Sequence, residues 1–182
     1  MMDDDDARWV RLTLEGDSKA FETLVQKYHK PIFNIAFRMA EDHDEAEDIT
    51  QSVFVKAYIK LNTFNFHFKF FSWLYRMAVN ESLNFLKEKK RFSELDDRYV
   101  SPEKGPDESV QDRQQAELVE MAIMQLSVDA RIVVVLKHFM DLSYQEMSWI
   151  LDIPEKTVKS RLFTARQNLK EIIVRKGIIA HG

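Results

Sequence analysis

Residues 142–170, LSYQEMSWILDIPEKTVKSRLFTARQNLK, admit few arrangements other than two helices joined by a very short turn. Ser143 and Glu146 have the spacing of a capping box, which marks a helix start. Met147, Ile150 and Leu151 then form one apolar face, interrupted by Leu151-Asp152-Ile153-Pro154. Pro154 suits the first position of a new helix, where its missing N–H costs nothing. Val158, Leu162, Ala165, Leu169 and Ile172 continue the apolar stripe at helical spacing. The opposite face carries Lys156, Thr157, Lys159, Ser160 and Arg161. A short helix, a tight turn and a second helix with a basic, polar N-terminal half are the pattern of a DNA-reading helix-turn-helix. An ordinary helical hairpin with a solvated basic face fits the same pattern.

The remainder of the chain is also helical in character. The four glycines, at 16, 105, 177 and 182, are ungrouped, so no phosphate-cradling loop or dinucleotide fingerprint is present. Glycine and proline are too sparse for the turns of a many-stranded β fold, and the expected class is all-α. There is no cysteine, which excludes disulfides, thiolate metal sites and a cysteine nucleophile. The longest aliphatic run, 132–136, is too short to span a bilayer. The MMDDDD start lacks a basic segment leading into an apolar one, so a cytoplasmic protein is expected.

A formal net charge of −4 is unpromising for a nucleic-acid binder until it is divided by position. Residues 1–48 carry −7, 49–91 carry +6, 92–126 carry −6 and 127–182 carry +3. Two basic blocks separated by an acidic one point to two contacts with a polyanion.

In chain order, residues 1–16 are a short acidic lead, and Asp17-Ser18 caps a helix with Phe21, Leu24, Val25 and Tyr28 on one face. Pro31 is expected to kink or break that helix before Ile32, Phe33, Ala36 and Met39 resume it. The next helix, 44–61, buries Ala46, Ile49, Val53, Ala57 and Leu61. Its other side holds Asp48, Ser52, Val55 and Ile59, with Gln51 alongside. Exposed aliphatics among polar residues fit either scattered surface hydrophobes or the centre of a partner surface. His43 with Asp44, Glu47 and Asp48 invites a metal reading, but acidic residues at a helix start match the helix dipole.

Phenylalanine stands at 64, 66, 68, 70 and 71, alternating like a strand with no evident partner strand. Ser72 is positioned to cap the helix that follows, which ends in Lys87-Glu88-Lys89-Lys90-Arg91. Aromatics beside a basic helix suit unstacked bases, each stacked base contributing ~1–3 kcal/mol; Phe64 and Phe70 are expected in the core. Residues 92–112 are acidic, contain Pro102, Gly105 and Pro106, and read as a linker. Fully extended, they reach ~70 Å, on the order of two turns of duplex DNA. Residues 132–135 are β-branched, but no second strand is available and a helix is expected.

Four runs in order, YHKPIFNIAFRM (28–39), DEAEDITQSVFVKAY (44–58), FSWLYRMAVNESLNFLKEKKR (71–91) and LSYQEMSWILDIPEKTVKSRL (142–162), resemble the extracytoplasmic-function group of bacterial RNA polymerase sigma factors. The resemblance extends from about residue 16 to 171. It implies a helical domain over 1–91, a linker over 92–112 and a helix-turn-helix domain over 113–182. It also implies that core RNA polymerase and two promoter elements are the partners, together with an anti-sigma factor; the residues themselves offer no paired carboxylates, nucleophile–base set or metal spacing, so no catalytic activity and no cofactor are expected.

By that resemblance Asp48, Gln51, Ser52 and Val55 meet the clamp helices of the largest polymerase subunit. Segment 63–71 captures a flipped base, with Phe64, His67 and Lys69 assigned to the proximal element, while Arg76, Asn80, Lys87 and Lys90 line the strand. Extruding a base costs a few kcal/mol, which a shaped pocket must offset. Lys156, Thr157, Lys159, Ser160 and Arg161 read the distal element, and Thr164 and Arg166 contact the DNA backbone. The chain departs from the family pattern at Ser52, usually glutamate, at Asp152, usually glycine, at Lys156, often small, and in the phenylalanines of 65–71. These departures bear on which promoter is read. Two other readings, a stand-alone regulator using 113–176 and a helical enzyme with acidic metal ligands, leave the basic-aromatic block 49–91 unused or lack ligand spacing.

Overall fold

The computed structural model describes residues 4–95 and 111–175, and all elements among them are helical. The N-terminal unit comprises α1 (Asp4–Leu14), α2 (Ser18–Ala40), α3 (His43–Ile59), a 3₁₀ turn (Leu61–Thr63) and α4 (Phe70–Leu95). The C-terminal unit comprises α5 (Gln111–Met124), α6 (Val128–Val134), a π-helical turn (Val135–Phe139), α7 (Tyr144–Leu151) and α8 (Glu155–Arg175). The β-branched run 132–135 is helical and fully buried, as its packing requires. The expected linker lies largely outside the described residues: α4 continues through Phe92 to Leu95, and α5 begins at Gln111.

The acidic lead is a three-turn helix that buries Ala7 and Val10 and is further anchored by one carboxylate. Asp6, only 2% exposed, accepts hydrogen bonds from the Lys27 amine at 2.7 Å and the Tyr28 hydroxyl at 2.5 Å. Bonds to a charged acceptor each contribute about 1.5–3 kcal/mol, less where one partner is half-exposed. Asp6→Ala is therefore expected to lower stability by about 2 kcal/mol, read as a fall in the denaturant midpoint at unchanged slope; an unchanged midpoint would show that α1 is not anchored there. Gly16, at φ 103, takes the left-handed conformation that closes α1 against α2, and Asp17 caps α2 by accepting from the Lys19 N–H.

Pro31 neither breaks nor ends α2, which runs unbroken through it. A proline inside a helix costs ~3 kcal/mol, whereas each fully buried aliphatic contributes ~1.5–3 kcal/mol. Leu24, Ile32, Ile35 and Met39 are essentially inaccessible on both sides of the proline, so burial of one continuous face outweighs the local penalty.

The phenylalanine run likewise forms no strand. It follows the 3₁₀ turn as a loop in which Asn65 Oδ1 accepts from the His67 N–H, and its last two phenylalanines open α4. The helix that follows starts at Phe70, so Ser72 is not its cap but a buried residue of its first turn.

Among the described residues the two units touch chiefly at two places. At the C-terminal end of α2, the buried Arg131 of α6 donates to the carbonyls of Met39, Met124 and Leu126 and pairs with Glu41 at 2.7 Å. Beside it Arg38 pairs with Glu120 of α5 at 2.6 Å and lies 3.8 Å over the Phe139 ring. At the second place, α7 rests on α4.

Candidate functional site

Three surfaces carry the residues singled out by sequence. On α3, Asp48 and Gln51 are exposed, and Val55 and Ile59 are 59% and 69% exposed, with Tyr58 beside them at 54%. An uncovered apolar patch with polar neighbours is thus a property of the fold. Ser52 does not belong to it: its hydroxyl donates to Glu81 of α4 at 3.2 Å, where Lys56 of α3 also binds.

The second surface belongs to α4. Arg76, Asn80, Lys87 and Lys90 recur at intervals that keep them on one stripe of the helix. Asn80 and Lys87 also line a groove with Asn84, and Lys56 and Lys60 from the end of α3 form its other wall. These two lysines were within the basic block 49–91 but were not singled out, because only the packing of α3 on α4 brings them to Lys87.

The loop residues divide. His67 is exposed, and Phe68 is 41% exposed. Phe64 is 6% exposed, with its ring in edge contact with Phe66, Phe70 and Trp73. No face of Phe64 is open to a base, so its place is the core and not the proximal DNA contact.

Lys69 and Arg76 face α7. The Lys69 amine binds Glu146 at 2.7 Å. The Arg76 guanidinium donates to the Trp149 carbonyl at 3.0 Å, lies 3.3 Å from the Asp152 carboxylate and sits over the Trp149 ring. Burial pushes the Glu146 carboxyl up, but hydrogen bonds from Lys69 and Ser143 outweigh it and hold the group below its ordinary value.

The third surface is the helix-turn-helix. Ser143 and Glu146 form the reciprocal capping box of α7. Asp152 ends α7 in the left-handed conformation, at φ 55, doing what glycine commonly does at such a turn. Pro154 sits one residue before α8, and its carbonyl accepts from the N–H groups of Thr157 and Val158. Val158, Leu162 and Ala165 are buried, which leaves Lys156, Lys159, Ser160, Thr164 and Arg166 exposed and Thr157 and Arg161 half-buried.

The α8 cations are pre-positioned by local partners. A hydrogen bond from Lys159 to Glu155 raises the amine above its ordinary value. Arg161 lies 3.8 Å from Asp129. Arg166 meets His138 at 3.4 Å, and burial together with the Arg166 and Lys137 charges pushes that imidazole below its ordinary value. Phe163, 65% exposed, is a large apolar residue on this helix that sequence reading passed over. Among the described residues no cluster of metal-ligating side chains occurs, and no helix is long and apolar enough to cross a membrane.

Known proteins assign these surfaces a common origin. Residues 24–92 match the family described as Sigma-70 region 2, and residues 116–169 match Sigma-70, region 4. The chain thus has the two-region build of a sigma factor. It is 31% identical to the ECF RNA polymerase sigma factor SigW of Bacillus subtilis, over 89% of this chain and 93% of that one. It is 32% identical to the ECF RNA polymerase sigma-E factor of Escherichia coli, over 87% and 88%. Among solved structures, the sigma factor RpoE from Bartonella quintana, in complex with the anti-sigma factor NepR, superposes with a TM-score of 0.72 at 25% identity, covering 85% of this chain and 97% of that one. CnrH, solved with the cytosolic domain of CnrY, shares the fold with a TM-score of 0.73 at 22% identity, over 94% and 98%. The chain belongs to the extracytoplasmic-function family of RNA polymerase sigma factors. It functions in transcription initiation with core polymerase and promoter DNA.

Proposed function

We propose that the three surfaces divide the work of one promoter-specificity subunit. The α3 patch of Asp48, Gln51 and Val55 docks on the clamp helices of core polymerase. The α4 stripe of Arg76, Asn80, Lys87 and Lys90, with Lys69 and His67 at its loop end, holds the opened proximal element. Lys156, Thr157, Lys159, Ser160 and Arg161 read the distal element in the major groove, and Thr164 and Arg166 contact its backbone. The working units are residues 1–91 and 113–182, joined through 92–112. The subunit contributes no catalytic chemistry of its own and acts in the cytoplasm.

The observation that carries this reading is the alignment of Arg76, Asn80 and Lys87 along α4, with the second of these and the last in a groove also lined by Lys60 and by Lys56, the latter paired with Glu81. A polyanion needs a row of cations, and a single strand needs that row to be narrow and open. The Bartonella relative was solved with an anti-sigma factor, which supports a cognate anti-sigma factor for this chain.

Each phosphate contact adds about one counterion to the salt dependence of binding. Lys159→Ala and Arg161→Ala are therefore each expected to weaken binding of distal-element duplex, and the loss of a phosphate contact would lower the salt slope by about one. Unchanged affinity in both variants, measured by anisotropy over a salt series, would remove α8 from the recognition role.

A further inference from the structure

We infer that His138 is a further phosphate contact of the distal element, closing with Arg166 on one backbone phosphate and taking up a proton as the duplex binds. This rests on the proposed backbone role of Arg166.

The histidine reaches the DNA-reading face through the π-helical turn. Residues 131–136 are buried, and the turn Val135–Phe139 then brings His138 to the surface beside α8. The amine of the preceding Lys137 lies 5.6 Å from the centre of the Tyr144 ring, and the Lys159 amine lies 5.3 Å from the same ring. Lys159 and Arg166 are about two helical turns apart and so share a side of α8. The π turn therefore borders the face that carries the proposed distal contacts.

The chemistry of the pair sets it apart from its neighbours. The Nε and Nη2 groups of Arg166 both lie 3.4 Å from His138 Nε2. A guanidinium has donors only, so Nε2 is the acceptor, and a ring so engaged is neutral with its proton on Nδ1. Lys159 and Arg161 of the same helix face carboxylates instead, Glu155 at 2.6 Å and Asp129 at 3.8 Å. Among the described residues no carboxylate pairs with His138 or Arg166. The charged groups that act on the imidazole are Arg166 from α8 and Lys137 from its own turn. Lys137 lies 3.9 Å from Asp141, and Arg38 lies over the ring of the adjacent Phe139. The site is thus an exposed pair in a cationic field with no anion of its own.

A phosphate placed at Arg166 supplies that anion. It draws the guanidinium into a charge-assisted pair and frees Nε2. The freed ring then has a negative oxygen within reach, which favours its charged form. Protonated from solvent, it donates to the phosphate from Nε2. In the free protein, burial and the Arg166 and Lys137 charges hold the imidazole below its ordinary value, so the free form binds fewer protons than the complex. A state that holds more protons is favoured as pH falls. Distal binding therefore strengthens on acidification, across the range in which histidine titrates.

Backbone contacts carry no sequence information, so a short mixed-sequence duplex labelled with tetramethylrhodamine serves as the probe for the full-length protein. From pH 8 to pH 6 at constant ionic strength, its affinity is expected to rise about fivefold. Calorimetry in two buffers of different ionisation enthalpy should show net proton uptake. His138→Gln keeps an acceptor for Arg166 but takes no proton, so it should lose both the rise and the uptake. His138→Lys is charged at either pH and should bind at pH 8 as the wild type does at pH 6. Circular dichroism verifies the fold of both variants.

Wild-type affinity that is flat or falls toward pH 6 overturns the inference, and so does an uptake that persists undiminished in His138→Gln. Arg166→Ala keeps the two claims apart. If it binds more weakly than wild type while the wild type takes up no proton, the inference alone fails. If it binds as tightly as wild type, the backbone role of Arg166 fails and the inference fails with it.

Discussion

Val55→Asp should abolish binding to core polymerase while leaving the thermal melt of the free protein unchanged. Val55 is 59% exposed, and substitutions on such surfaces alter stability by about 0.5 kcal/mol or less. The α3 helix is held from its opposite side by Ala46, Ile49, Val53 and Ala57, none more than 4% exposed, so nothing in the fold depends on the outward valine. At a docked interface the balance reverses. A carboxylate at the centre of an apolar patch must be stripped of water without a paired cation, and a central position of this kind commonly carries 2 kcal/mol or more. A penalty of about 3 kcal/mol corresponds to roughly a hundredfold loss of affinity. Affinity for core within threefold of wild type would show that the α3 patch is an incidental set of surface hydrophobes.

Arg131→Ala should produce the largest loss of stability from a single charged residue. The guanidinium is 7% exposed, meets three backbone carbonyls at the ends of α2 and α5, and pairs with Glu41. Helix C-termini leave such carbonyls without intrahelical donors, and one planar cation serves two of them together. Removing it should cost about 3 kcal/mol, which for a chain of this size lowers the melting temperature by roughly 6–12 °C. A melting temperature within two degrees of wild type would mean that water replaces these bonds at no cost.

The parts of this molecule that could be read from sequence are those whose causes are local. The Ser143–Glu146 capping box and the Asp17 cap depend on residues at most three apart, and both are present. The left-handed Asp152 belongs to the same class. Of the expected kink or break at Pro31, the break does not occur, because the proline's penalty is local while the burial that outweighs it comes from α3 and α4. Phe64, expected in the core from the residues and assigned to DNA only through the resemblance, has its ring spent on the core, as does Phe70, while Phe68 is exposed.

The contacts between the units were the least legible. Lys69 and Glu146 are 77 residues apart in sequence, and Arg131 lies 92 residues from the Met39 carbonyl it meets. A basic block and an acidic helix start give no sign, in one dimension, that they will face each other. The charge alternation indicated two DNA-binding units; that one packs against the other follows only from the structure.

The most direct test of the account is run-off transcription with purified core polymerase on a promoter fragment carrying both elements. Wild-type protein should direct promoter-dependent transcripts. Val55→Asp should yield none, and Lys159→Ala/Arg161→Ala should yield few. Duplex binding by the wild-type protein without any promoter-dependent initiation would contradict the account and leave a stand-alone DNA-binding regulator in its place.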